Sequence, residues 1–184
     1  AKSAAGNQDG AYIKTTDDRF LLRLNAAVEP LFDYQALEDR ADQTSFRIRR
    51  ARLYASGNAF YPWLQYNTQI TLEGASAALR DATLALTAWK EVQPTVGQFK
   101  VPFDREFLTS GLSLQLIERS IASDEFSLQR DVGAQVGGQL AGDRIEYRVG
   151  VFNGSGANRA NANTDFMYIG RVVYSPFGPL PYSQ

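Results

Sequence analysis

The chain has 184 residues, with no cysteine and no histidine. That excludes a disulfide framework, Ser-His-Asp and Cys-His catalysis and every imidazole metal site, and it leaves the redox compartment unread. The net charge of −1 excludes the broad basic field of a nucleic-acid binder, yet of 19 basic residues only Lys2, Lys14, Lys90 and Lys100 are lysines, and the other 15 are arginine, the residue that holds anions in fixed geometry.

The chain opens on Ala1-Lys2-Ser3-Ala4-Ala5, with no initiator Met and no apolar signal core, so it reads as a mature or trimmed chain. Residues 1–10 are small and polar and read as a loose tail, and 11–15 as a short strand. No apolar run reaches the length of about 20 residues that a transmembrane helix needs. Mean hydropathy is −0.30, but barrel strands are short and alternating, and hydropathy does not detect them.

From residue 20 onward the period is two. In 20–34 the even positions run Phe20, Leu22, Leu24, Ala26, Val28, Pro30, Phe32, Tyr34, while Arg23, Asn25, Glu29 and Asp33 take odd ones. Pro30 removes a ladder donor and predicts a bulge or a strand end. Further strands are predicted at 44–57, 60–73, 79–91, 94–101, 130–141, 144–153 and 165–174, eight in all with 20–34. Alternation over a dozen residues exceeds the usual soluble strand of about 5–6 and suits a membrane strand, which needs about 9–11. Connections at 35–43, 74–78, 102–129 and 154–164 are long; those near 57–59, 92–93 and 141–143 are tight. Outer-membrane barrels have that asymmetry. Phe32, Tyr34, Phe60, Tyr61, Trp63, Trp89, Phe166 and Tyr174 near strand ends suit interfacial girdles.

The densest feature is Phe46-Arg47-Ile48-Arg49-Arg50-Ala51-Arg52-Leu53. The apolar phase slips at Arg49-Arg50, as a β-bulge would make it do. Arginine on the lipid face at mid-bilayer costs about 2–4 kcal/mol, so all four are expected to face the lumen. There they either guide anions or pair with carboxylates such as Glu29, Asp33, Glu73 and Asp81. Residues 102–129 exceed the roughly 12–15 residues of an ordinary loop. They carry Leu108, Leu112, Leu114, Leu116, Ile117 and Ile121, so a third loop folded into the lumen is expected, an outer cap or subunit contact being the other reading. Asn153-Gly154-Ser155-Gly156-Ala157-Asn158 lacks the strand-to-helix context of a phosphate cradle and reads as an outer turn. Asp17-Asp18 likewise reads as a turn rather than a calcium site.

These residues resemble the phosphate-selective porin (O and P) family from about 19 to 178. The resemblance rests on Phe46–Leu53, Leu79-Arg80-Asp81-Ala82, Val96-Gly97-Gln98-Phe99-Lys100-Val101-Pro102-Phe103, Glu118-Arg119-Ser120, Val149-Gly150-Val151-Phe152-Asn153-Gly154 and Gly170-Arg171-Val172-Val173, in that order. It implies an all-β fold, an antiparallel 16-stranded transmembrane β-barrel of the bacterial outer membrane, trimeric, with an inward third loop and an arginine ladder. Residues 1–18 would then be a tail with a short strand and 19–184 the N-terminal half of the barrel. Eight strands alone enclose only their own side chains, so a longer parent chain is expected.

The implied function is passive diffusion of small anions such as phosphate, with no cofactor, metal or nucleic acid and no catalysis. The candidate anion-binding set is Arg47, Arg49, Arg50, Arg52, Asp81, Lys100, Arg105, Arg119, Arg148 and Arg171. The resemblance also implies a lysine on the inward loop of phosphate-specific members; residues 102–129 hold only Arg105 and Arg119 as cations. The competing readings are a non-conducting scaffold barrel and a soluble lipocalin-like barrel with its apolar face inward.

Overall fold

The computed structural model describes residues 3–7, 10–36, 41–73, 76–179 and 182. Ala1, Lys2, Gln8, Asp9, parts of the connections 35–43 and 74–78, and Leu180, Pro181, Ser183 and Gln184 lie outside the described residues. The described residues form one antiparallel sheet of ten strands in sequence order, open between β1 and β10. The strands are β1 Ser3–Asn7, β2 Ala11–Thr15, β3 Leu21–Gln35, β4 Gln43–Asn58, β5 Leu64–Thr71, β6 Ala78–Leu86, β7 Gln93–Lys100, β8 Arg130–Leu140, β9 Ile145–Phe152 and β10 Met167–Tyr174. Between β7 and β8 lie α1 Arg105–Leu108 and α2 Ile121–Phe126.

Two expectations are corrected. The strand count is ten rather than eight, because Ser3–Asn7, read as loose, pairs with Ala11–Thr15. Small residues carry no alternation, so backbone pairing there leaves no pattern to read. The stretch 60–73 yields a strand only over Leu64–Thr71, since residues 59–63 turn: Tyr61 N–H donates to Ala59 O at 2.8 Å and Phe60 sits at φ 66°. The long strands survive, β3 with 15 residues and β4 with 16. The loop asymmetry survives in part, with 101–129 and 153–166 at one end against 59–63 and 141–144 at the other. The connection expected to be tight near 92–93 instead runs from Leu86 to Gln93 and is as long as the one from Thr71 to Ala78.

The sheet has inverted polarity. Buried side chains are mostly polar, Arg50, Arg52, Gln69, Thr71, Asp81, Gln98, Arg130 and Asp131 among them, whereas Phe46, Val149, Tyr168 and Val172 are more than half exposed. On β10 the alternation is complete: Tyr168, Val172 and Tyr174 are exposed, while Ile169, Arg171 and Val173 are partly covered. A water-soluble barrel buries its apolar face, because removing apolar area from water is what stabilises it by about 25 cal/mol per Å². Here that face is presented outward, as lipid requires. The one buried apolar cluster among the described residues is Phe99, Val101 and Phe152, with Met167 and Ile169 against it. It lies at the long-loop end, where the Phe99 and Phe152 rings meet edge to face at 5.3 Å.

Candidate functional site

The arginines of β4 owe their placement to the phase slip. Glu29 pairs with Arg50, but the next residue, Pro30, pairs with Ile48, so Arg49 is the extra residue of a bulge. Pro30 has no N–H to give the ladder, and the slip falls where that donor is missing. Arg50 and Arg52 are consequently buried on the polar face, while Phe46 and Ile48 keep the apolar one. Each member of the column has a carboxylate. Arg47 pairs with Asp33 at 3.7 Å, Arg49 with Glu118 and Arg50 with Glu29. Arg52 shares Glu73 with Arg80, at 3.9 and 3.8 Å.

The segment 101–129 lies against this face. Arg50 Nη2 donates to Ile117 O at 3.3 Å, and Arg49 reaches Glu118, so the β4 arginines hold the loop down. The loop's own frame is polar. Asp104 caps α1 by accepting from the Glu106 and Phe107 N–H groups at 3.1 and 3.0 Å, and it also accepts the Ser123 hydroxyl. Glu106 accepts from Ser120 N–H at 2.7 Å and from its hydroxyl at 2.5 Å. These bonds tie α1 to α2.

Beneath the loop is a cavity of about 360 Å³. Its lining carries six cations, Arg52, Arg80, Lys100, Arg119, Arg130 and Arg148, against one carboxylate, Asp81, with Tyr54, Asn67, Gln69, Thr83, Thr95 and Gln135 as neutral polar groups. Asp81 is engaged by Arg130 through two parallel bonds, Nε to Oδ1 at 3.0 Å and Nη2 to Oδ2 at 3.1 Å, and both residues are buried. Bidentate geometry is what lets such a pair offset its desolvation.

Lys100 and Arg119 are held differently. Lys100 Nζ donates to Leu108 O at 3.1 Å and Thr109 O at 2.9 Å; Arg119 Nη2 donates to Thr109 O at 3.0 Å. Among the described residues no carboxylate pairs with either. Burial, and beyond it the Arg50 and Arg130 guanidiniums, push Arg119 below its usual value, with Asp124 opposing them. Lys100 also faces Arg130 directly across the β7–β8 pair. Like charges opposite one another are unfavourable, and loop carbonyls and Asp81 stabilise this arrangement. Arg52 Nε and Arg80 Nε are buried without a hydrogen-bond partner, as is Gln135 Oε1.

Of the ten residues named from sequence, Arg52, Asp81, Lys100, Arg119 and Arg148 therefore line one cavity. Arg49 and Arg50 lie against the loop above it, and Arg47 stands apart, more than half exposed. Arg105 and Arg171 gather with Arg148 at a neighbouring cluster, each guanidinium within 6 Å of the Tyr182 ring centre, with Glu146 accepting from Arg148, Arg171 and the Tyr182 hydroxyl. Sequence reasoning did not place Arg80 and Arg130 in the set. Arg80 stood in a quoted motif beside Asp81. Arg130 shares the parity of Val132, Ala134 and Val136 and so counts as lipid-facing by alternation. The signal that would have found it is its position as the first residue after the long loop.

The family model for phosphate-selective porin O and P matches residues 24–179. The chain belongs to that family. A comparison with curated proteins gives no match. As a bacterial outer-membrane porin, the protein meets lipid with its exposed apolar face and carries its arginines on the opposite one, and its family is one of channels rather than enzymes. At family level the solute is phosphate, an anion opposite in sign to the cations of the cavity's lining.

Proposed function

We propose that this porin is a diffusion channel that selects small anions, inorganic phosphate among them, at the cavity beneath its 101–129 loop. The observation that carries the reading is a lining of six cations in which Arg52, Arg80, Arg130 and Arg148 meet Glu73, Asp81 and Glu146, while Lys100 and Arg119 meet backbone carbonyls. Fixed cations in a confined site raise the local anion concentration and repel cations. Lys100 and Arg119 contribute most, since carbonyls rather than carboxylates orient them. The Gln, Thr and Asn side chains of the lining supply neutral donors for an oxyanion.

Barrel closure belongs to the same reading. The outer backbone groups of β1 and β10 face no strand in the described sheet, and lipid cannot satisfy them. Residues 19–184 would supply the N-terminal half of a 16-stranded barrel, with the loop narrowing its lumen and three copies forming the assembly, as the family resemblance implies.

The test is the reversal potential of the full-length protein in a planar bilayer under a KCl gradient. Anion selectivity is expected, with phosphate at constant chloride lowering the chloride current by competition, and Arg119→Gln moving the potential toward zero. A cation-selective wild type overturns the proposal.

A further inference from the structure

Phe107 is the one aromatic ring of the loop frame that is buried, only 4% exposed, and it stands among three cations. The Arg119 guanidinium lies 5.0 Å from the ring centre, the Lys100 ammonium 5.4 Å and the Arg130 guanidinium 5.8 Å. An ordinary apolar side chain in that position would be poorly placed, because it would bury surface against charges that lose water. An aromatic ring differs: its faces carry negative quadrupolar potential, and cations within about 6 Å are attracted, more strongly once desolvated.

From this geometry we infer that Phe107 is a positioning residue for anion selection, its ring and the adjoining carbonyls of Leu108 and Thr109 holding Lys100, Arg119 and Arg130 at mutual close range without neutralising them. The inference rests on the reading of the cavity as an anion-selecting site. A carboxylate in the same place would also hold these cations but would cancel one unit of their charge. A saturated side chain would leave their repulsion to the carbonyls and Asp81 alone. A ring face does neither. Its location is fixed from the backbone, because Phe107 N–H donates to the capping Asp104 at 3.0 Å. The loop therefore acts on the pore through its neutral aromatic and carbonyl groups as well as by filling space.

The experiment replaces Phe107 in the full-length protein with phenylalanines of increasing ring fluorination, which withdraw π-density with little change of shape. Phe107→Leu and Phe107→Trp are made beside them. Each is folded, checked by heat-modifiable gel migration, and reconstituted in planar bilayers. Two quantities are read: the reversal potential in a KCl gradient and the concentration of inorganic phosphate that halves the chloride current. The inference predicts a graded loss of anion selectivity with fluorination, a rise of about three- to tenfold in half-blocking phosphate at full fluorination, a similar loss in Phe107→Leu, and retention in Phe107→Trp. A series that is flat with fluorination in an anion-selective channel overturns the role of Phe107 and leaves the anion reading standing. A cation-selective wild type overturns both.

Discussion

Two cation-rich regions of this porin use the same residue types to opposite effect. On β4, Arg47, Arg49 and Arg50 each meet their own carboxylate, Asp33, Glu118 and Glu29. Beneath the loop, Lys100 and Arg119 meet carbonyl oxygens, and Phe107 faces them with its ring. The first region is dense in charge and close to neutral, and its pairs fasten the loop to the wall. The second holds two cations, Lys100 and Arg119, that no carboxylate pairs with among the described residues. On the proposed anion-selecting reading, what decides whether an arginine acts on a passing ion is the formal charge of its partner, not how many arginines stand together. Paired charges of opposite sign give a field that falls off quickly, whereas an unpaired charge in a confined, low-dielectric site is felt across it.

That contrast can be broken at several points. The largest effect is expected at Arg130→Gln, which leaves Asp81 buried without its bidentate partner. A loss of about 3–5 kcal/mol is expected, read as a lower urea midpoint of the folded barrel, and Asp81→Asn in the same chain should restore most of it. Val172→Arg places a guanidinium on the exposed apolar face of β10. Its expected loss is about 2–4 kcal/mol at mid-bilayer depth, read by the same titration, with the pore's selectivity untouched.

A smaller effect is expected on selectivity itself. Arg119→Gln should lower the anion-to-cation permeability ratio about three- to tenfold, with the chain still folded. The smallest is expected at Gly111→Ala. A Cβ at that position meets Arg50 Nε at 3.1 Å. The arginine tip can give way, so conductance should fall by less than about a third, with selectivity held.

Much of this was legible in the sequence, and what was not has a physical reason. The alternation of 20–34 showed a two-faced strand, and its length pointed to a membrane barrel; which face lies outward is a tertiary fact. The bulge at Arg49-Arg50 was legible because the apolar phase slips there, and Pro30 marks the missing donor opposite. Ser3–Asn7 was not, since a strand of small residues has no side-chain pattern. The helices α1 and α2 were read as loop, although Asp104 and Ser120 are good N-caps; helices of four and six residues are too short to show a period. At the site, sequence ranked residues by charge density and therefore put β4 first. Which cation had a carboxylate beside it is a tertiary fact, as is the approach of Arg130 to Asp81 across 49 positions of chain.

The most direct test of the paired-versus-unpaired account compares reversal potentials in one KCl gradient for the wild type and two double variants. Replacing Arg49 and Arg50 alone would not discriminate, because it bares Glu118 and Glu29. Glu29→Gln with Arg50→Gln removes a whole ion pair and no net charge. Lys100→Gln with Arg119→Gln removes two cations that carbonyls hold. The account predicts an unchanged potential for the first and a large shift toward zero or cation selectivity for the second. A shift in the first with none in the second would contradict it.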